Sequence, residues 1–153
     1  MRWKRRWNTQ RNWAANSTTK TTAASRIGSV AVRRRAFEEL VEKALLSLPE
    51  EFRQALDNLA IVVEDWPDPE LVEEITGDSE EVLYGLFTGT PLPERRLEDS
   101  GDLPPVIALY QGPLEEDFPD RGELAREVET TLVHELAHFM GFDEDEVREY
   151  GYE

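Results

Sequence analysis

The chain contains only two histidines, and both lie in one short stretch near its end, His134-Glu135-Leu136-Ala137-His138. Residues i and i+4 lie one turn apart on the same face of an α-helix, so both imidazoles can bind a single metal ion. Glu135 lies about 100° around the helix from His134. It can therefore reach a metal-bound water without being a ligand, which is the position of a general base. The pattern H-E-x-x-H predicts a metal-binding helix with Glu135 as the catalytic base.

The segment around these histidines has the pattern of a long helix with a defined end. Apolar residues recur at helical spacing across residues 121–140, and Gly141 is the residue type that ends helices in a left-handed conformation. A glycine there lets the chain turn sharply, so that a carboxylate three residues later can approach the metal. Glu144 holds that position, while its neighbours Asp143 and Asp145 remain alternatives.

The competing explanation is that two histidines and an acid share a helix surface by chance. H-E-x-x-H does occur by chance, but here it uses every histidine of the chain and lies on a strongly periodic helix. Two imidazoles and one carboxylate leave a fourth tetrahedral position for water, as in catalytic rather than structural zinc sites. We therefore predict one Zn²⁺ per chain, bound by His134, His138 and Glu144.

The remaining patterns predict an α+β fold. Apolar periodicity predicts further helices at residues 36–48, 50–58, 69–75 and 143–150. Short apolar runs predict a buried strand at 59–63, a strand at 83–88, and a strand at 106–110 that is closed by Gln111-Gly112-Pro113. Gly85 indicates a bulge or a close backbone approach within the second strand. Because helices and strands do not alternate regularly, we expect a short mixed sheet of about three strands with flanking helices.

Charge divides the chain into two unequal parts. Residues 1–37 contain ten basic and no acidic residues, whereas the remainder carries all 33 acidic residues against seven basic ones. We interpret residues 1–32 as a basic disordered tail or an over-extended translation start, and residues 33–153 as the folded domain. An acidic body disfavours nucleic-acid binding, although RNA or membrane binding through the basic, tryptophan-containing segment stays a separate hypothesis.

Composition excludes several classes of protein. The chain has no cysteine, which excludes a disulfide scaffold, a Cys-type zinc site and a catalytic thiol, and suits a cytoplasmic location. No apolar run approaches the roughly 18 residues of a membrane span, so we expect no transmembrane segment.

From about residue 33 to its end, the sequence resembles the small bacterial zincin-like metallopeptidases, the minimal zincins, whose motif is H-E-x-x-H-x-x-G-x-x-D. The resemblance includes segments 84–92 and 106–114, which look like the core strands of that family. It implies a small zincin-like domain in which the zinc ligands, the catalytic acid/base and the turn are His134, His138, Glu135 and Gly141. The ligand Asp of the family is replaced here by Glu144, which is one methylene longer.

The resemblance implies a zinc-dependent peptidase in which metal-bound water attacks a peptide or amide carbonyl, with Glu135 as general base. The alternative is a non-catalytic, metal-stabilised binding module, consistent with the small size of the chain. In a zincin-like fold a peptide or protein substrate binds along a strand edge, for which the candidates are Tyr84, Gly85 and Leu86. Candidate donors to the transition-state oxyanion are Tyr84, Tyr110, Arg148, Tyr150 and Tyr152.

Overall fold

The computed structural model describes residues 4–6, 23–96 and 104–152, with side chains from residue 33 onwards. The elements in chain order are β1 (Lys4–Arg6), α1 (Ala23–Ser47), α2 (Glu50–Ala55), β2 (Ala60–Glu64), α3 (Pro69–Thr76), β3 (Glu81–Leu83), β4 (Gly85–Thr88), β5 (Val106–Tyr110), α4 (Gln111–Asp117), α5 (Arg121–Met140) and α6 (Glu144–Glu149). Short 3₁₀ turns follow α2 and β4, at Leu56–Asn58 and Leu92–Glu94.

The main sheet has three strands in the order β2-β5-β4. β2 runs parallel to β5, with Ala60 paired to Val106, and β4 runs antiparallel to β5, with Gly85 paired to Leu109. β1 and β3 form a separate antiparallel pair. A mixed sheet combined with helices that do not alternate regularly with strands confirms the predicted α+β fold.

The core lies between this sheet and the helices, and α5 is its central element. α5 contacts α1, α2, β4 and β5. Its apolar positions account for this, because Val128, Leu132 and Leu136 are fully buried. The predicted bounds of this helix, residues 121–140, are confirmed. The end at Gly141 is confirmed too, since this residue has a φ of 78°.

The helix predicted at 69–75 is also confirmed, and it forms for the expected reason. Pro69 occupies the first helical position of α3, and the Asp68 side chain accepts a hydrogen bond from the backbone N–H of Glu70 at 2.8 Å. Gly77 ends the helix with a φ of 81°. Proline at the start and glycine just past the end are the residues that these two positions favour.

The strand predicted at 59–63 is found as β2, but the prediction that it is buried is wrong. Ile61 and Val63 are half-buried, but Val62 is 38% exposed. The reason is that β2 ends the order of the three-stranded sheet and packs the core with one face only. A continuous β-branched run therefore does not by itself indicate a strand covered on both sides.

The predicted strand at 83–88 is two strands, β3 and β4, separated by a bend at Tyr84. The strand predicted at 106–110 is confirmed and ends before residue 111 as predicted, but residues 111–113 begin helix α4, which the sequence does not predict. Proline is tolerated in the first turn of a helix, where its missing N–H has no helical partner, so Pro113 does not end the element.

The first helix begins earlier than predicted, at Ala23 rather than residue 36. The predicted domain boundary at residues 32/33 thus lies within α1, and residues 4–6 of the predicted tail pair with β3. The rest of that tail prediction concerns residues 1–3 and 7–22, which lie outside the described residues. The division into tail and domain stays a prediction.

Candidate metal centre

Helix α5 carries both histidines, and each of its ends is capped. At its start the Asp120 carboxylate accepts hydrogen bonds from the backbone N–H groups of Gly122 and Glu123 at 2.9 and 3.0 Å. At its end Gly141 adopts the left-handed conformation, in which its Cβ-free backbone packs against Pro93. A Cβ at Gly141 would lie 2.6 Å from Pro93 Cγ, so no larger residue fits there without a shift.

His134 and His138 line one small pocket together with residues that follow Gly141. This histidine pocket has a volume of about 240 Å³, and its lining residues are His134, Ala137, His138, Phe142, Asp143, Glu144 and Val147. The structure therefore brings three predicted ligands, His134, His138 and Glu144, to a single pocket. Both histidines are half-buried, as expected for side chains that project from a core helix into an open depression.

The three consecutive acids after the turn have different surroundings. Asp143 is the N-cap of α6: its Oδ1 accepts from the N–H of Glu146 at 2.9 Å, and the Glu146 carboxylate accepts from the N–H of Asp143 at 2.8 Å. This reciprocal pair is a capping box. Asp145 accepts from Arg148 at 3.1 Å and does not line the histidine pocket. Glu144 does line it, at the first position of α6.

An aromatic cluster holds the segment that carries Glu144. The rings of Phe142 and Tyr150 stack with their centroids 6.2 Å apart and an interplanar angle of 4°, and both contact the edge or face of Phe52 at 5.0 to 6.0 Å. The Tyr150 hydroxyl also donates to the Glu51 carboxylate. Through this cluster the short helix α6 is attached to α2.

Glu135 lies apart from the two histidines, on the side of α5 that faces β4. It is only 3% exposed, and its Oε2 accepts a hydrogen bond of 2.8 Å from the backbone N–H of Phe87. The pocket that the histidines line does not include it. The sequence predicts Glu135 as a base but gives no signal for this partner, because a backbone amide can belong to any residue type.

Gly85 is the residue that allows β4 to approach α5 this closely. A Cβ at Gly85 would lie 2.7 Å from Cγ2 of Thr131 and 3.4 Å from Cγ of Glu135. The close backbone approach predicted from Gly85 is confirmed, and its partner is α5. Thr131 is buried, and its hydroxyl has no hydrogen-bond partner among the described residues.

The candidate substrate-binding residues fall in two environments. Tyr84 is buried at the bend, where its hydroxyl donates to Asp117 and its ring packs edge-on against Phe118. Gly85 and Leu86 lie in β4, which is an outer strand of the sheet. The role of these residues in substrate binding stays a prediction.

Most of the candidate oxyanion donors are engaged elsewhere. Four of the five donate to carboxylates: Tyr84 to Asp117, Arg148 to Asp145, Tyr150 to Glu51 and Tyr152 to Glu129. The fifth, Tyr110, is buried, and burial together with the negative charges of Glu64 and Glu135 raises its pKa to about 12. Burial and the hydrogen bond to Glu129 likewise raise the pKa of Tyr152 to about 12.

His134, His138 and Glu144 are residue types that bind zinc, although their side chains do not converge on one point in this structure. Within the part of the chain that the structure describes, no three His, Asp or Glu side chains are arranged closely enough to hold a metal ion as they stand. Two imidazoles and a carboxylate on one pocket are nevertheless the ligands of many catalytic zinc sites.

No helix within residues 23–96 and 104–152 is both long enough and apolar enough to span a membrane.

Similarity to known proteins extends over the part of the chain that carries the histidines. A family model described as zincin-like metallopeptidase matches residues 56–152. A comparison with curated proteins gave no match. Among solved structures, a conserved hypothetical protein from Thermo thermophilus is 32% identical over 71% of this chain and 94% of that chain, with a TM-score of 0.46.

Proposed function

Because the chain belongs to the zincin-like metallopeptidase family, we propose that it is a zinc-dependent peptidase. In this proposal His134, His138 and Glu144 hold the metal, and Glu135 is the general base. The observation that carries the proposal is that the three proposed ligands line one pocket, although Glu144 lies ten positions after His134 and beyond the end of the helix.

The choice of Glu144 over its neighbours rests on what each carboxylate already does. Asp143 also lines the pocket, but its Oδ1 is engaged in the capping hydrogen bond, whereas Asp145 pairs with Arg148 and does not line the pocket. An N-cap of this kind contributes about 1 kcal/mol to stability, so the cap opposes any reorientation of the Asp143 carboxylate towards a metal. Glu144 can rotate towards the histidines without breaking the cap.

A bound zinc ion would supply Lewis acidity and make the attacking water more acidic. The Glu135 carboxylate would accept the proton of that water and pass it to the leaving nitrogen of the scissile amide. The hydrogen bond from Phe87 fixes this carboxylate beside β4. A fixed orientation matters because proton transfer requires the base within hydrogen-bond reach of the water.

The same contact supports β4 as the place where substrate binds. An extended peptide adds to a sheet by pairing with the backbone of an outer strand. Since the N–H of Phe87 donates to Glu135 in this structure, a peptide that took over this N–H by pairing with β4 would lie next to the base. Peptide or protein is therefore the proposed substrate class.

The test is a comparison of wild type with Glu135→Gln on a peptide library, with cleavage detected by mass spectrometry after zinc is supplied. We expect the variant to lose at least about a hundredfold in rate, the usual contribution of a general base. Its zinc content should equal that of wild type, because Glu135 is not a ligand. Glu123→Gln, an exposed acid on the same helix, is the matched control and should retain full activity.

Equal cleavage by Glu135→Gln and wild type would contradict the role of Glu135. The alternative function, a metal-stabilised binding module without turnover, has one observation in its favour: Glu135 is nearly buried and lies outside the histidine pocket. Zinc bound by wild type without cleavage of any library peptide would favour that alternative.

A further inference from the structure

Glu144 belongs to a helix that is too short to hold its own position. Helix α6 has six residues, whereas isolated helices shorter than roughly 12 residues are marginal in water. Val147 is its one buried side chain. The position of Glu144 therefore depends on how the residues that flank α6 are attached to the rest of the fold.

The flanking residues on the two sides of α6 are Phe142 and Tyr150. The backbone N–H of Phe142 donates to the carbonyl of Ala137 at 2.9 Å, which joins the start of the segment to the end of α5. The two rings stack with an interplanar angle of 4°. Both ends of α6 therefore meet in one aromatic stack.

Phe52 of α2 anchors this stack in the core. Its ring is fully buried and contacts Tyr150 at 5.0 Å and Phe142 at 6.0 Å between centroids. Interplanar angles of 80° and 84° make both contacts edge-on, which is a favourable geometry for aromatic pairs. One buried side chain thus holds both ends of the segment that carries Glu144.

A hydrogen bond to the preceding residue of α2 reinforces this attachment. The hydroxyl of Tyr150 donates to the carboxylate of Glu51, which lies 99 positions earlier in the chain. Tyr150 is itself 37% exposed, so its substitution disturbs the core less than a change at Phe52 would. Helix α2 therefore supplies an apolar and a polar contact to the same tyrosine.

The aromatic cluster of Phe52, Phe142 and Tyr150 reaches the histidine pocket through one of its members. Phe142 lines that pocket, and Glu144 follows it by two positions. Phe52 and Tyr150 do not line the pocket, so they are not candidates for metal ligands. Their influence on a bound metal has to pass through the segment that contains Phe142 and Glu144.

We propose that Phe52 and Tyr150 are positioning residues for the metal site, because they hold Glu144 beside the two histidines. The inference rests on the proposed function, in which Glu144 is the third ligand. A ligand that is already oriented loses less conformational entropy when the metal binds. Without the cluster, the segment spends only part of its time in the orientation that can bind zinc, and the apparent affinity falls by that fraction.

A purely structural role for the cluster predicts a different result. In that case the rings only stabilise the fold, and the imidazoles on α5 bind zinc equally well with or without the Tyr150 ring. The two roles differ in whether the effect of Tyr150 on zinc affinity requires the Glu144 carboxylate. A double-mutant cycle answers this question, because it isolates the coupling between two positions.

The test is the zinc affinity of four proteins, measured by competition with a chromogenic chelator: wild type, Tyr150→Leu, Glu144→Ala and the double variant. We expect Tyr150→Leu to weaken zinc binding about tenfold, as is usual when a residue that orients a metal ligand is removed. In the Glu144→Ala background the same change should alter the affinity by about twofold or less, the scatter expected of independent positions.

Two further variants serve as controls. Tyr150→Phe keeps the ring and removes only the hydrogen bond to Glu51, so it should lose about threefold in zinc affinity and fold even if Tyr150→Leu does not. The hydroxyl of Tyr152 likewise donates to a carboxylate, that of Glu129 at 2.8 Å, but Tyr152 lies outside both the cluster and the histidine pocket. Tyr152→Leu should therefore bind zinc as wild type does. Circular dichroism of each variant verifies that it is folded.

Equal zinc affinity in wild type, Tyr150→Phe and Tyr150→Leu would overturn the inference and leave the proposed metal site intact. An equal loss in the presence and absence of the Glu144 carboxylate would overturn it as well, because the cluster would then act on α5. The same holds for a loss in Tyr152→Leu as large as that in Tyr150→Leu, which would indicate general destabilisation. Wild-type protein that binds no zinc would overturn the inference together with the proposed function.

Discussion

The two sides of the histidine pocket are built in different ways. His134 and His138 project from a 20-residue helix that crosses the core, whereas Glu144 begins a helix of six residues at the end of the domain. The side of α5 is held by buried apolar contacts with two helices and two strands. The helix α6, which carries Glu144, is held by a glycine turn, a capping box and a cluster of three aromatic rings.

The proposed ligands therefore differ in how rigidly the fold holds them before a metal binds. A ligand on a buried helix is already in place before the metal arrives, whereas a ligand on a short terminal helix loses conformational entropy on binding. We therefore expect the two imidazoles to provide most of the zinc affinity. The carboxylate should tune affinity, and its contribution should depend on how firmly α6 is attached.

The largest effects are expected from removal of the proposed ligands, and they should differ between the two sides. Glu144→Ala should weaken zinc binding less than removal of either imidazole does, because the carboxylate loses conformational entropy on binding. Asp145→Ala should bind zinc as wild type does, because Asp145 lies outside the pocket. Competition with a chromogenic chelator measures all these affinities. An undiminished affinity in Glu144→Ala, together with a loss in Asp143→Ala, would transfer the ligand role to Asp143.

The next effect concerns Tyr110, which is buried near α5. The negative charge of Glu135 on that helix contributes to the raised pKa of Tyr110. The pKa of Tyr110 is about 12 in the folded protein and 10.0 in the reference state. Folding therefore favours the protonated phenol, and this contribution is complete below pH 10 and is lost as the pH rises through 12. Two pKa units correspond to at most about 2.7 kcal/mol.

Urea unfolding of wild type and Tyr110→Phe at increasing alkaline pH measures this contribution. The free energy of unfolding of wild type should fall relative to that of Tyr110→Phe, which has no ionisable group at this position. A constant difference between the two proteins from neutral pH upward would show that the phenol of Tyr110 is not held in its protonated form by the fold.

The smallest effect separates two glycines that end helices. Gly141→Ala and Gly77→Ala both place a side chain at a φ near 80°, which costs roughly 1–2 kcal/mol. Only Gly141 has a neighbour, Pro93, at 2.6 Å from the added Cβ, whereas Gly77 has nothing within 4 Å. Gly141→Ala should therefore lower the free energy of unfolding by about 1 kcal/mol more than its counterpart. Equal losses would show that Pro93 moves away without cost.

The features that sequence predicts well are those determined by neighbours along the chain. The bounds of α5 follow from its apolar period and from the glycine at its end, and α3 follows from an aspartate cap before a proline. His134, His138 and Glu144 line one pocket because each step between them is local. One helical turn separates the two histidines, and the glycine turn at Gly141 leads to Glu144. Helices such as α3 and α5 can be predicted because their caps and apolar spacing are set by residues close together in the sequence.

The features that sequence misses depend on contacts between distant segments. Helix α4 has a Gly-Pro pair in its first turn, and the glycine is required because Trp66, which lies two residues beyond β2, packs on it. The hydrogen bond from Phe87 to Glu135 joins residues 48 positions apart through a backbone group that no residue type identifies. The exposure of β2 depends on strand order, which local patterns do not contain.

The central claim is that His134 and His138 belong to a zinc site, and metal content tests it most directly. Wild type and His138→Ala are purified without added metal, offered zinc, dialysed, and analysed by plasma mass spectrometry. Our account predicts one zinc per chain in wild type and loss of that zinc in the variant, with both proteins folded by circular dichroism. Wild-type protein that holds no zinc after the metal is offered, or a variant that retains it, would contradict the account.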